Sequence, residues 1–103
     1  MTHEKFLKMA ADAAEVSATA GRYPYGAIVV RDDVIIGDSN IIPDILDVFR
    51  HSEFRAIYDA ASRNEGGNLT GAILYSSHEP CEFCMAAAKL CGINEIHFDK
   101  KVN

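Results

Sequence analysis

The apolar positions of this chain change their period several times. From 3 to 20, in HEKFLKMAADAAEVSATA, Phe6, Leu7, Ala10, Ala13 and Ala14 recur at three- and four-residue intervals, the repeat of one helix face. Gly21 closes that helix. YGAIVV at 25–30 is a short unbroken apolar run, which predicts a buried strand. RDD at 31–33 is a polar turn and VIIGDS at 34–39 a second strand, so the two runs predict a hairpin. NIIPDILDVFR at 40–50 is predicted to be a loop, because Pro43 interrupts it. HSEFRAIYDAASRN at 51–64 predicts a second helix, stopped by Gly66 and Gly67. GAILYSS at 71–77 predicts the third strand. PCEFCMAAAKLC at 80–91 predicts a third helix, with Pro80 suited to its first turn and Gly92 to its exit. EIHF at 95–98 predicts a fourth strand at the edge of the sheet. The order α-β-β-α-β-α-β is that of one α/β domain over 1–103, a sheet between helices, with the last two strands joined by a right-handed crossover.

Composition narrows the classes. With 49% apolar and 24% charged residues in 103, the chain has ordinary globular content and room for one core. No apolar run approaches the ~18 residues of a membrane span. The first residues, MTHEKFLKMAADAAEV, lack a signal-peptide pattern, so a soluble cytoplasmic protein with no membrane contact is expected. A net charge of −5 argues against a broad phosphate-binding surface.

The polar residues at the two later helix starts carry the candidate chemistry. Cys81 and Cys84 stand three apart in a first turn, so both sulfurs share a face and can reach one ion. A helix N-terminus favours thiolate, the form that binds zinc. In a reducing compartment such a close pair binds metal or does redox chemistry more often than it closes a structural loop. His51 opens the preceding helix and supplies a third borderline ligand. Three protein ligands leave a tetrahedral zinc one open position, which a catalytic zinc keeps for water and a structural one fills. Glu53 lies two residues beyond His51, placed to move protons beside such a water and not to ligate.

His51-Ser52-Glu53 followed by Pro80-Cys81-Glu82-Phe83-Cys84 resembles the H-x-E…P-C-x-x-C signature of the zinc-dependent cytidine deaminase superfamily. The hairpin YPYGAIVVRDDVIIGDSN and the segment LYSSHEPCEFCMAAA are similar to those of its guanine deaminase and tRNA adenosine deaminase branch, and the likeness covers roughly residues 5–98. It implies a three-layer α/β/α sandwich with a mixed sheet, without the C-terminal strand or strands with which such proteins usually continue. It implies Zn2+ held by His51, Cys81 and Cys84, a zinc-bound hydroxide as nucleophile, and Glu53 as proton shuttle. It places Asn40 where that branch binds its base, with Ser52 and Tyr25 as further substrate-binding candidates. The branch usually reads Asp-Pro-Thr-Ala before the His, where this chain has Asp47-Val48-Phe49-Arg50, and it has Ala where Ser52 stands.

Plainer readings stand beside these. Asn40 can simply cap a turn. Tyr25 can belong to the core. Cys91 reads as a helix-core residue, His78 as a loop residue beside the site, and His3 and His97 as structural or solvated. Glu79 and Glu82 suit a helix start. Arg50 is either solvated or meets a substrate phosphate. Two functions follow. One is hydrolytic deamination of a nucleobase, nucleoside or nucleotide with a guanine-like or cytosine-like amidine, tRNA being disfavoured by the acidic charge. The other is a non-catalytic zinc module used for assembly. The small-residue run CMAAAKLC and the resemblance imply a homodimer or larger symmetric assembly through the second and third helices.

Overall fold

The computed structural model describes residues 3–43 and 46–100. Helix α1 spans His3–Thr19, followed by strands β1 (Ala27–Arg31) and β2 (Val34–Asp38). Short 3-10 turns at Ser39–Ile41 and Asp47–Arg50 lead to α2 (Ser52–Arg63). A further 3-10 turn at Glu65–Gly67 precedes β3 (Ile73–His78), α3 (Glu82–Leu90) and β4 (Glu95–Lys100). The strand order is β2-β1-β3-β4, antiparallel except for the parallel pair β3 and β4. The sheet is therefore mixed, as expected, and β4 lies at its edge among the described residues.

The hairpin forms because Asp32 and Asp33 both accept positive φ, 53° and 62°, which a two-residue turn between right-twisted strands requires. Alternation along the strands then divides the core. Ala27, Val29 and Leu74 pack with Ala56, Ile57, Ala60 and Ala88 of α2 and α3 on one face. Ile28, Val30 and Tyr75 pack with Phe6 and Ala10 of α1 on the other. This is the three-layer α/β/α sandwich. The segment 40–50, expected as plain loop, carries two 3-10 turns; Asp38 caps the first by accepting from the Asn40 amide. Pro43 lies between them and Leu46 precedes the second.

Two glycines let the layers approach. At Gly37 a Cβ would fall on the Ala56 carbonyl oxygen and 2.7 Å from Ala60 Cβ, so α2 rests directly on β2. At Gly26 it would meet the backbone of α1 at Ala10, Ala13 and Ala14. No helix among the described residues is long and apolar enough to cross a membrane.

Candidate metal and catalytic site

The two later helices start at the same place. His51 is the N-cap of α2, with extended φ/ψ of −76° and 111°, and Cys81 is the N-cap of α3, at −75° and 169°. Each helix closes its first turn on that cap: Arg55 N–H donates to the His51 carbonyl at 3.0 Å, and Met85 N–H to the Cys81 carbonyl at 3.0 Å. Neither cap side chain closes on its own helix, so both are left for something else. Cys84 sits in the first turn of α3, fully buried.

His51, Cys81 and Cys84 each offer a ligand atom, all within 4.8 Å of one another. Cys81 Sγ is 3.6 Å from His51 Nδ1. Zinc bond lengths of about 2.05 Å to nitrogen and 2.3 Å to sulfur give a nitrogen–sulfur edge of about 3.6 Å in a tetrahedron. The donor set, one imidazole and two thiols, is the borderline-to-soft set that suits zinc. By distance and chemistry these residues fit the ion. Burial pushes the Cys84 thiol well above the ordinary thiol range, and the Glu53 carboxylate and Cys81 push it further. A cation among these groups reverses that preference. Cys91, the third free cysteine, is the C-cap of α3, half-buried against the core and outside this cluster.

Glu53 is 7% exposed in the first turn of α2. Ser52 Oγ donates to Glu53 Oε1 at 2.5 Å. That bond engages one carboxylate oxygen and orients the group. Beneath the loop that leads in, the fully buried Arg55 donates through Nη1 to the Phe49 carbonyl at 2.6 Å and through Nε to the Ser39 carbonyl at 2.9 Å. One guanidinium thus ties the segment before His51 to the turn after β2.

A cavity of about 470 Å³ opens over the cluster, with His51, Ser52, Glu53 and Cys81 on its wall. Tyr25 lines it too, 39% exposed, so it belongs to the cavity and not the core. His78 faces Tyr25 edge-on at 4.8 Å. Ser77 Oγ accepts from Gly26 N–H at 3.0 Å and meets His78 Nδ1 at 2.8 Å. Arg50 and Glu79 line the same wall. Arg50 stacks over Tyr23 at 5.8 Å and lies 3.5 Å from Asp47. Tyr23 and Asp47 are lining residues that no sequence signal had marked as functional, because both stand in irregular segments where period says nothing. Asn40 does not line this cavity. Its Nδ2 donates to the Ala13 carbonyl of α1 at 3.0 Å, while its Oδ1 is buried with no partner among the described residues.

A family model described as the cytidine and deoxycytidylate deaminase zinc-binding region matches residues 1–100. The tRNA-specific adenosine deaminase of Aquifex aeolicus (strain VF5) is 36% identical over 105 aligned positions, covering 98% of this chain and 70% of that protein. The guanine deaminase of Bacillus subtilis (strain 168) is 38% identical over 89 residues, covering 84% of this chain and 57% of that protein. An X-ray structure of guanine deaminase from Bacillus subtilis superposes with a TM-score of 0.85 at 31% identity, covering 98% of this chain and 66% of that one. The chain thus spans 70% and 57% of the length of these two curated relatives.

Proposed function

Because this chain belongs to the cytidine and deoxycytidylate deaminase zinc-binding family, we propose that it hydrolyses the exocyclic amine of a small nucleobase, nucleoside or nucleotide, releasing ammonia. The observation that carries this reading is the buried Glu53 carboxylate on the same cavity wall as His51 and Cys81. A purely structural zinc site has no use for a buried carboxylate beside it.

His51, Cys81 and Cys84 would hold a zinc ion, through one imidazole nitrogen and two sulfurs. When bound, the ion supplies Lewis acidity that brings the attacking water into its usable range near neutral pH. Glu53 would take one proton from the attacking water and pass it to the ring nitrogen as the oxygen adds to the amidine carbon; it would then carry the remaining hydroxyl proton to the exocyclic nitrogen, so that the carbon–nitrogen bond breaks, ammonia leaves and a carbonyl beside a ring N–H remains. With Oε1 held by Ser52, Oε2 is the oxygen free to carry the proton. Tyr25 and His78 form an aromatic wall for the flat ring, and Ser52 lines the same cavity.

Among substrates, the net charge of −5 favours a free base, nucleoside or nucleotide over tRNA. The names of the relatives keep tRNA adenosine as the second reading. Ammonia release from zinc-loaded protein, offered guanine, cytosine, cytidine, deoxycytidylate and an anticodon stem-loop RNA, separates them. Release from none of the five, with zinc bound, overturns the enzymatic reading and leaves the non-catalytic module.

The same reading includes a two-fold assembly through α2 and α3. Tyr58, Phe83, Met85 and Leu90 are 47%, 44%, 37% and 89% exposed on those two helices and offer apolar side chains to such a contact. Light scattering after size exclusion tests it: an active 11.3 kDa monomer at micromolar concentration excludes it.

A further inference from the structure

At the sheet face away from the catalytic cavity, three residues from opposite ends of the sequence converge. His3 begins α1, and Glu95 and His97 stand two apart on β4. His3 Nε2 lies 3.6 Å from Glu95 Oε2, and His97 Nε2 lies 2.7 Å from that same oxygen. The two imidazoles stack with centroids 4.0 Å apart and planes 27° apart. All three ligand atoms fall within 4.8 Å of one another. We propose that His3, Glu95 and His97 form a second metal site, for a first-row divalent transition ion, which pins the start of α1 to the edge strand β4.

Three arguments carry it. The first is distance. A metal–ligand bond of about 2.1 Å gives ligand–ligand edges of about 3.0 Å in an octahedron and about 3.4 Å in a tetrahedron. The observed 2.7 and 3.6 Å bracket those values, so small side-chain shifts complete the geometry.

The second is orientation. His3 Nδ1 lies 2.7 Å from the hydroxyl of Tyr75, a residue 2% exposed. Phe6 packs on the Tyr75 ring at 5.2 Å and His97 stacks on it at 5.5 Å. A ligating imidazole is held in place by the hydrogen bond that its other nitrogen makes. The Tyr75 hydroxyl engages Nδ1 and leaves Nε2 for an ion.

The third is the donor set. Two stacked imidazoles converge through their Nε2 atoms on one carboxylate oxygen. One divalent cation would take both ring nitrogens and the carboxylate together. Two imidazoles and one carboxylate select zinc, cobalt, nickel or copper over magnesium and calcium. Glu95 and His3 are about half exposed, which leaves positions open to water and access from solvent.

The test uses the full chain carrying one equivalent of zinc. The thiolate-containing site retains that zinc, and Co2+ is then titrated by calorimetry while the His3 and His97 resonances are followed by NMR. One further ion per chain should bind in the micromolar range and broaden both imidazoles, with excess Mg2+ unable to compete. His97→Ala and Glu95→Gln should each abolish that binding, and Tyr75→Phe should weaken it roughly tenfold or more through loss of the orienting bond. His3→Gln, at an exposed helix start, serves should a β4 variant fail to fold. No binding below millimolar Co2+, or binding undiminished in the ligand variants, overturns the proposal.

Discussion

Cys81 Sγ and His51 Nδ1 lie 3.6 Å apart although 30 residues separate them in sequence. Each caps a different helix, so the contact exists only when α2 and α3 are both in place against the sheet. Zinc binding and the packing of these helices are thereby one event. His51→Ala, Cys81→Ala and Cys84→Ala should each lose the zinc at the catalytic cavity and lower the melting temperature, while Cys91→Ser keeps it. Elemental analysis and calorimetry on protein purified without chelator check this. A Cys91→Ser variant that loses the ion would contradict the assignment.

The Cys84 thiol makes zinc uptake depend on pH. Burial first, then Glu53 and Cys81, hold its proton on in the metal-free protein. Zinc must displace that proton, so affinity should rise with pH across neutrality by about tenfold per unit for each proton released. Metal-stripped protein should behave in the opposite sense. Its folded state holds the thiol proton more tightly than the unfolded chain does. That contribution is fully present below the unfolded thiol pKa of about 8.5 and is lost as pH rises above it. A competing chromophoric chelator measures the first effect, and thermal melts of the stripped protein measure the second. A zinc affinity that does not change between pH 6 and pH 8 would refute the account of Cys84.

Much of this arrangement was legible in the residues. The period of Phe6, Leu7, Ala10, Ala13 and Ala14, the two apolar runs around Asp32-Asp33, and the Pro80 and Gly92 punctuation placed every main element within a few residues. Local chemistry also marked His51, Cys81 and Cys84, because the spacing of the two cysteines is a local property that the helix converts into a shared face. What distance along the chain hides is pairing between remote segments. His3 and His97 read singly as structural or solvated residues; only the crossover that lays β4 beside β3 brings them together over Tyr75. Asn40 shows the converse. The motif suggested a ring contact for it; its Nδ2 bonds the Ala13 carbonyl, a partner 27 residues away that no motif encodes.

Gly37 reads in the sequence as an ordinary residue of a short strand. In the fold it is where α2 meets β2, with Ala56 and Ala60 against its bare Cα. Gly37→Ala should therefore push α2 outward and destabilise the domain by about 1–3 kcal/mol. Because α2 begins at His51 and Glu53, the same shift should weaken zinc binding. Urea denaturation of wild type and variant at equal zinc loading measures the first consequence. An unchanged midpoint would mean that α2 does not rest on β2 as closely as described.

Glu53 and Ser52 separate binding from chemistry. Glu53→Gln removes the proton carrier but no ligand, and the amide fills the same space. Zinc content and melting temperature should stay close to wild type, while kcat falls by roughly 10²–10⁴-fold, the range that a positioned general acid–base group contributes. Ser52→Ala removes only the 2.5 Å bond to Oε1. It leaves a buried carboxylate oxygen with a lost partner, a change of about 1–3 kcal/mol. If Ser52 orients Glu53, that loss appears chiefly in kcat, at about tenfold or more, with KM nearly unchanged. If Ser52 instead binds substrate through its hydroxyl, KM rises and kcat holds. Steady-state kinetics of the two variants on whichever ring releases ammonia distinguishes these roles, and full activity in Glu53→Gln would remove Glu53 from the mechanism.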